Sequence, residues 1–281
     1  MPKKSPPAHV YKYQPVTTRT LSNLKQASIW FSAPADFNDP FDCALRGIDP
    51  EQGLPDSELQ RVLDQMRRNP GMSAKLQAEM CTADGKPTPK FRQSVIRSLQ
   101  SAIENERKVR REQRGVACFS ELRDDIVMWS HYADGHRGFC LEFSTAFMPF
   151  SKALQVNYQD NFPTIPAGVL FSDHHAGHDE GTTHQLMQAF VLTKAPCWGY
   201  EKEWRTLHID ANKLFTYDYH ALTGIYFGAA MPYAQKEIIS LILRGAPTQL
   251  YEMQQAERGF ALTPRTVTYT PFPYQQKSES A

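Results

Sequence analysis

The sequence lacks the patterns that mark several common protein classes. Its five cysteines are an odd number and form no C-x-x-C pair, which argues against a disulfide framework and a structural zinc site. It holds no run of about eighteen apolar residues, and the lysines near its start lead into no apolar segment. We therefore expect a cytoplasmic protein without a signal peptide, a membrane span or a membrane partner.

The sequence also has no large excess of positively or negatively charged residues. The 31 Lys and Arg residues face 30 Asp and Glu residues, which gives a formal net charge of +1. No overall field would draw such a chain onto nucleic acid, so any attraction of that kind must come from a local patch. A glycine-rich phosphate loop, G-x-S-x-G and H-E-x-x-H are all absent from the sequence, which removes the best-known nucleotide, serine-hydrolase and zinc-protease signatures.

Apolar residues at helical spacing and short apolar runs of strand length occupy different parts of the chain. Residues 55–113 predict two or three helices, and residues 20–26 predict a short one. Short apolar runs predict strands over 10–13, 29–32, 116–119, 139–143, 205–209, 225–227, 238–243 and 266–269. We expect residues 1–275 to form a single α+β domain with a mixed or antiparallel β core, a helical insertion over about residues 50–113, and a loose tail over 276–281.

The most unusual stretch is Glu201-Lys-Glu203-Trp-Arg205. In a strand, the two-residue period would place Glu201, Glu203 and Arg205 on one face, at the rim of an apolar surface. Two close carboxylates repel and raise the pKa of one of them, while a guanidinium opposes that shift. Such a cluster suits charge stabilisation or acid–base chemistry, so we expect these three residues to be catalytic. The alternative is an ion-pair ladder on an exposed strand.

Residues 124–135 predict one capped helix. Asp124 or Asp125 is the expected N-cap, and Asp134-Gly135 is the expected left-handed end. His131 and Tyr132 lie beside the apolar face of this helix, where they could contact a ligand. The alternative for His131 is a core position with its ring satisfied locally.

Two loops carry further candidate residues. In the turn Phe37-Asn-Asp-Pro-Phe-Asp42, the surrounding aromatic residues indicate that Asp39 is packed, and we keep it as a binding candidate. His174, His175 and His178, with His184 behind them, could bind zinc. The regular spacing of a zinc fold is missing, so we expect a solvated loop and no metal there.

Several motifs together resemble a known bacterial family. They are Tyr11-Lys-Tyr13, Trp30-Phe-Ser-x-Pro-x-x-Phe-Asn-Asp-Pro-Phe-Asp42, Cys118-Phe-Ser120, Met128-Trp-Ser-His-Tyr132 with Gly138, and Lys194-x-x-x-Trp198-x-Tyr-Glu-x-Glu-Trp-Arg205. In this order they resemble the family called domain of unknown function 2971, over residues 10 to 230. The name of that family implies no activity.

A second resemblance is to the ADP-ribosyltransferases. It implies a fold of split β-sheets that hold NAD in a cleft. Glu203 resembles the catalytic Glu of these enzymes, and Glu201 resembles the first member of their E-x-E motif. Lys12 stands on the first strand, where those enzymes have Arg or His, and would lie beside the phosphates. The resemblance and the motifs above give these expected NAD-binding residues: Lys12, Tyr13, Asp39, Ser120, His131 and Tyr132.

We therefore expect an enzyme that cleaves NAD and transfers ADP-ribose to a nucleic acid, a protein or water, without a metal ion. One alternative is a metal-dependent nuclease, in which Asp39, Glu201, Glu203 and the histidines over 174–178 hold a divalent ion and a basic helix end holds the strand. Carboxylates beside Arg205 argue against a metal, because the guanidinium already neutralises them. The other alternative is a non-catalytic binding module.

Overall fold

The computed structural model describes residues 4–43, 54–68, 73–162 and 191–269. The α-helices of these ranges are α1 Thr18–Lys25, α2 Asp56–Arg67, α3 Ala74–Met80, α4 Pro89–Gln113, α5 Ile126–Tyr132 and α6 Tyr233–Ile242. The strands are β1 His9–Gln14, β2 Ser28–Phe31, β3 Gly115–Ser120, β4 Phe139–Ser144, β5 Leu154–Gln155, β6 Asn157–Tyr158, β7 Thr193–Lys194, β8 Glu203–His208, β9 Lys213–Thr216, β10 Leu222–Phe227, β11 Gln249–Gln255 and β12 Leu262–Thr266.

Eight strands form one mixed sheet in the order β12-β11-β10-β4-β1-β3-β8-β5. The neighbours β1 and β4 pair over the whole length of both strands, and so do β3 and β8. By contrast, β1 and β3 share a single residue pair, Tyr11 with Ser120, so the sheet opens at this junction. The prediction of a single α+β domain with a mixed β core is confirmed.

The alternation of β1 assigns its side chains to two cores. Val10 packs into the larger core with Phe143 and Trp204, whereas Tyr11 and Tyr13 face the other side of the sheet. Helix α5 covers that second side, and its Trp129 meets Tyr13 edge to face at 5.2 Å. The helix is thereby fixed beside the junction of β1 and β3.

Local sequence signals set the ends of α5. The Asp125 carboxylate accepts a hydrogen bond from the backbone N–H of Met128 at 2.9 Å, as expected of an N-cap. Asp134 and Gly135 have φ angles of 49° and 57°, which end the helix in the left-handed region. Both predicted ends of this helix are confirmed.

Between β2 and β3, the described residues form three helices, α2, α3 and α4, in agreement with the two or three helices predicted over residues 55–113. Helices α2, α3 and α4 surround a small core of their own, to which Leu59, Leu63, Phe91, Val95 and Leu99 contribute. None of the described helices combines the length and the apolar composition needed to span a membrane. The predicted tail over 276–281 and the histidines over 174–184 lie outside the described residues.

The strand predicted over 238–243 is wrong, because these residues end helix α6. A short apolar run does not by itself distinguish a strand from one side of a helix. Ile239 is completely buried, while Ile238 and Leu241 are about half exposed, which is the one-sided burial of a surface helix. The strand of this region, β11, follows at Gln249–Gln255.

Gly138 allows α5, β1 and β4 to approach one another. A Cβ atom at this position would lie 2.2 Å from the carbonyl oxygen of Gln14 and 3.0 Å from Ala133. We expect Gly138→Ala to lower the free energy of unfolding by about 1–3 kcal/mol, the usual cost of overpacking, as measured by urea denaturation. Gly199→Ala is the matched control, because nothing lies within 4 Å of its added Cβ. Equal stability of the two variants would contradict this packing.

Candidate active site

A cleft of about 460 Å³ opens where β1 and β3 part. Helix α5 forms one wall, and the chain around Glu201 and Asp42 forms another. Seven of the residues expected from the sequence line this cleft: Lys12, Tyr13, Ser120, His131, Tyr132, Glu201 and Glu203. Arg205 lies behind Glu203 with no exposed surface.

Arg205 is the centre of a buried ion network. Its Nε and Nη2 donate to the two oxygens of Glu203 at 2.8 and 2.9 Å. Its Nη1 and Nη2 also donate to Asp42 at 2.8 and 2.6 Å, and Nη1 donates to the carbonyl oxygen of Val191 at 2.6 Å. Glu203 is only 4% exposed, so the alternative of a surface ion-pair ladder is wrong.

Lys194 brings a third carboxylate into the network. Its ammonium lies 2.6 Å from Glu201, 3.3 Å from Glu203 and 3.8 Å from Asp42. Three carboxylates therefore face two cations, which leaves one net negative charge when all five groups are ionised. All three carboxylate residues, Asp42, Glu201 and Glu203, line the cleft.

Glu201 reaches the network from outside the strand. It ends the 3₁₀ helix Pro196–Glu201, and Lys202 follows in the left-handed region with a φ of 45°. The strand predicted through Glu201 therefore starts only at Glu203, and the two-residue period is interrupted. The two carboxylates come together because both bind Lys194.

Helix α5 and strand β3 hold Glu201 in position. The Tyr132 hydroxyl donates to its Oε1 at 2.6 Å, and the Asn38 amide donates to the same hydroxyl at 3.3 Å. The Ser120 hydroxyl donates to the Glu201 backbone carbonyl at 2.7 Å. Ser120 thus positions the carboxylate by its backbone, and its own side chain is buried.

The environments of the two glutamates shift their pKa values in opposite directions. Burial alone would raise the pKa of Glu203, but the charges of Arg205 and Lys194 outweigh it and lower the pKa to about 2. For Glu201, burial and the charge of Glu203 outweigh Lys194, and the pKa is raised. Two carboxyl groups whose pKa values differ in this way are suited to different roles, one permanently ionised and one able to exchange a proton.

Lys12 enters the cleft from β1. Its ammonium donates to the carbonyl oxygen of Cys118 at 3.0 Å and lies 5.4 Å from the centre of the Phe119 ring. Burial lowers the pKa of Lys12, because its charged form is poorly solvated. Among the described residues, its side chain forms no ion pair with a carboxylate.

The remaining candidates take different positions. The Tyr13 hydroxyl donates to the carbonyl oxygen of Leu122 at 2.8 Å, so it is engaged within the fold. His131 is exposed at the rim, with its Nδ1 3.2 Å from the Tyr200 hydroxyl. It is therefore not the core histidine of the alternative interpretation.

Asp39 is not among the described residues that line the cleft. It accepts a hydrogen bond from the backbone N–H of Phe41 at 2.9 Å, which fixes the turn that carries Asp42. Its other carboxylate oxygen is buried and has no hydrogen-bond partner among the described residues. The residue of this motif that enters the ion network is Asp42.

Sequence reasoning missed Asp42 and Lys194. Both stand in the motifs that carry the family resemblance, Asp42 at the end of the Phe37–Asp42 segment and Lys194 at the start of the last motif. Their charge in otherwise apolar and aromatic surroundings was the available signal. In the described part of the chain, no group of three or more His, Cys, Asp or Glu side chains forms a candidate metal site.

Residues 128–206 match the model of a family described as Protein of unknown function (DUF2971). The matched segment includes Tyr132, Lys194, Glu201, Glu203 and Arg205. No curated protein and no solved structure matches the chain. The family match supports the resemblance stated from the motifs and carries no activity with it.

Glu203→Gln tests the ion network. We expect the free energy of unfolding at pH 7 to fall by about 3–5 kcal/mol, the usual cost of removing one partner of a buried ion pair. The pKa of Glu203 is lowered from 4.5 to about 2 in the fold, so its contribution is complete above pH 4.5 and is lost as the pH falls towards 2. The difference in the free energy of unfolding between variant and wild type, measured by urea denaturation, should therefore shrink as the pH falls across this range.

Asp210→Asn is the control for that experiment. Its carboxylate pairs with Lys213 at the surface, at 2.8 Å, and an exposed pair of this kind contributes little. We expect its unfolding curve to stay close to that of the wild type. A Glu203→Gln variant as stable as Asp210→Asn at pH 7 would contradict the importance of the network.

Proposed function

We propose that the cleft binds NAD, cleaves its bond to nicotinamide and transfers ADP-ribose to a macromolecule or to water. The observation that carries this proposal is the meeting of Lys12, Ser120, Tyr132, Glu201 and Glu203 around one cleft. Lys12, Ser120 and Glu203 stand on β1, β3 and β8, which are neighbours in the sheet. The resemblance to ADP-ribosyltransferases implies Arg or His, then Ser, then Glu in this order, and Lys12 takes the place of the first of them.

The charge of the cleft suits the transition state of this reaction. Loss of nicotinamide builds positive, oxocarbenium-like charge on the ribose, which a fixed negative charge stabilises more than it stabilises the ground state. Glu203 stays ionised because of its lowered pKa, and Arg205 and Lys194 hold it without reorganisation. The one net negative charge of the network supplies the stabilisation, and it acts from a buried position where water screens it little.

Glu201 is suited to the proton transfer. Its pKa is raised above that of an ordinary glutamate and so is shifted towards pH 7, which suits a general base. In the proposed step, the C1′–N bond breaks and its electron pair goes to nicotinamide. The acceptor oxygen forms the new bond to C1′, and its proton passes to the Glu201 carboxylate.

Two other functions keep some support. A non-catalytic binding module is favoured by the pairing of Glu203 and Arg205, because such a network also stabilises a fold. The metal-dependent nuclease has less support, since Glu201 and Glu203 face Lys194 and Arg205, and Asp39 does not line the cleft with them. The histidines of that alternative lie outside the described residues.

Glu201→Gln and Tyr132→Phe test the proposed chemistry. We expect Glu201→Gln to slow nicotinamide release from NAD by about a hundredfold or more, because the amide cannot accept the proton. The Tyr132 hydrogen bond lowers the pKa of Glu201, so its loss in Tyr132→Phe should raise that pKa further. The acidic limb of the kcat/KM profile should then move to higher pH.

Tyr219→Phe is the matched control, because this tyrosine is 56% exposed and does not line the cleft. Its rate and pH profile should equal those of the wild type. A wild-type protein that binds NAD without releasing nicotinamide would favour the binding module. Cleavage of an oligonucleotide that stops with a chelator and returns with manganese would favour the nuclease.

A further inference from the structure

A second cavity, of about 440 Å³, lies between α1, β2 and one face of β1 and β4. It meets the cleft at Lys12 and Ser32, which line both. No Asp or Glu is among the described residues that line it, whereas Asp36, Asp42, Glu201 and Glu203 line the cleft. The two cavities therefore adjoin each other but have opposite electrostatic character.

Two cations line this second cavity without a carboxylate between them. They are Lys12 and Arg19. Burial is the main cause of the lowered pKa of Lys12, the charge of Glu203 opposes it, and the charge of Arg19 adds a smaller lowering effect. Like charges held together in a partly enclosed space are stabilised when an anion enters. The pair thus points to an anionic ligand.

Arg19 is held in place by an aromatic ring. Its guanidinium carbon lies 4.8 Å from the centre of the Trp30 ring, a cation–π distance. No hydrogen bond or ion pair joins this guanidinium to another side chain of the described ranges, so its N–H groups are free for a ligand. A guanidinium binds phosphate through two parallel hydrogen bonds, whereas an ammonium acts as a point charge.

We propose that the second cavity is a phosphate subsite, in which Arg19 and Lys12 bind the phosphoryl groups of a nucleoside diphosphate. This assignment rests on the proposed function only where it identifies that diphosphate as part of NAD. The diphosphate would lie in the second cavity, and the bond to nicotinamide would lie in the cleft beside Glu203. The opposite charges of the two cavities would then set the direction in which the dinucleotide binds.

The test uses the full chain and calorimetric titration with ADP and with inorganic pyrophosphate. We expect Arg19→Gln to weaken the binding of both by about tenfold or more, the loss typical of a charge-assisted hydrogen bond. Ligand binding by Arg19→Gln should also depend less on the salt concentration than binding by the wild type. The affinity of Arg19→Lys should lie between those of the wild type and Arg19→Gln, because lysine keeps the charge but not the two parallel N–H groups.

Lys25→Gln is the matched control, since Lys25 is an exposed cation at the end of the same helix and does not line the cavity. Its affinity for ADP should equal that of the wild type. Equal ADP binding by Arg19→Gln and Lys25→Gln, or no binding of ADP and pyrophosphate by the wild type at millimolar concentration, would overturn the subsite.

The same titrations separate this subsite from the proposed function. ADP binding that weakens in Arg19→Gln supports the subsite even if the wild type releases no nicotinamide from NAD. Nicotinamide release that depends on Glu201, together with unchanged ADP binding in Arg19→Gln, would overturn the subsite alone. Matching urea denaturation curves for Arg19→Gln and the wild type would show that the substitution acts on binding and not on folding.

Discussion

The guanidinium of Arg205 joins its own strand to two other segments, one of which is 163 residues away in the sequence. It binds Glu203 on its own strand, Asp42 in the turn after β2 and the backbone of Val191. Burying so many charges is costly unless every charge finds partners with good geometry. The turn that carries Asp42 must therefore lie against β8, and this contact forms one wall of the cleft. The rest of the site is built around this fixed position.

The open junction between β1 and β3 gives the cleft its space. A fully paired sheet would place backbone hydrogen bonds there, but only Tyr11 and Ser120 pair. Side-chain hydrogen bonds across the gap replace some of the missing backbone hydrogen bonds. Lys12 bonds the β3 carbonyl of Cys118, and Ser120 bonds the backbone of Glu201. The two halves of the sheet are thus held by polar contacts that also line the cleft.

Short-range features of the fold were predictable from the sequence, and long-range ones were not. Asp125 and Gly135 identified both ends of α5 because capping depends on a few neighbouring residues. The apolar run over 238–243 was misassigned because its neighbours, not its composition, decide between helix and strand. The break at Lys202 and the ion pairs of Asp42 depend on tertiary contacts between distant segments. No spacing rule within one motif reports such contacts.

Lys12 lines both cavities, and this sharing has a thermodynamic consequence. An anion in the second cavity would pair with this ammonium and leave the carboxylates of the cleft with less opposing positive charge. An anion in the second cavity and a cation in the cleft would therefore bind with positive cooperativity, and the coupling would be the same in either direction. A single molecule that is anionic at one end and cationic at the other gains this coupling within one binding event. One shared ammonium thus links the charges at the two ends of a bound ligand.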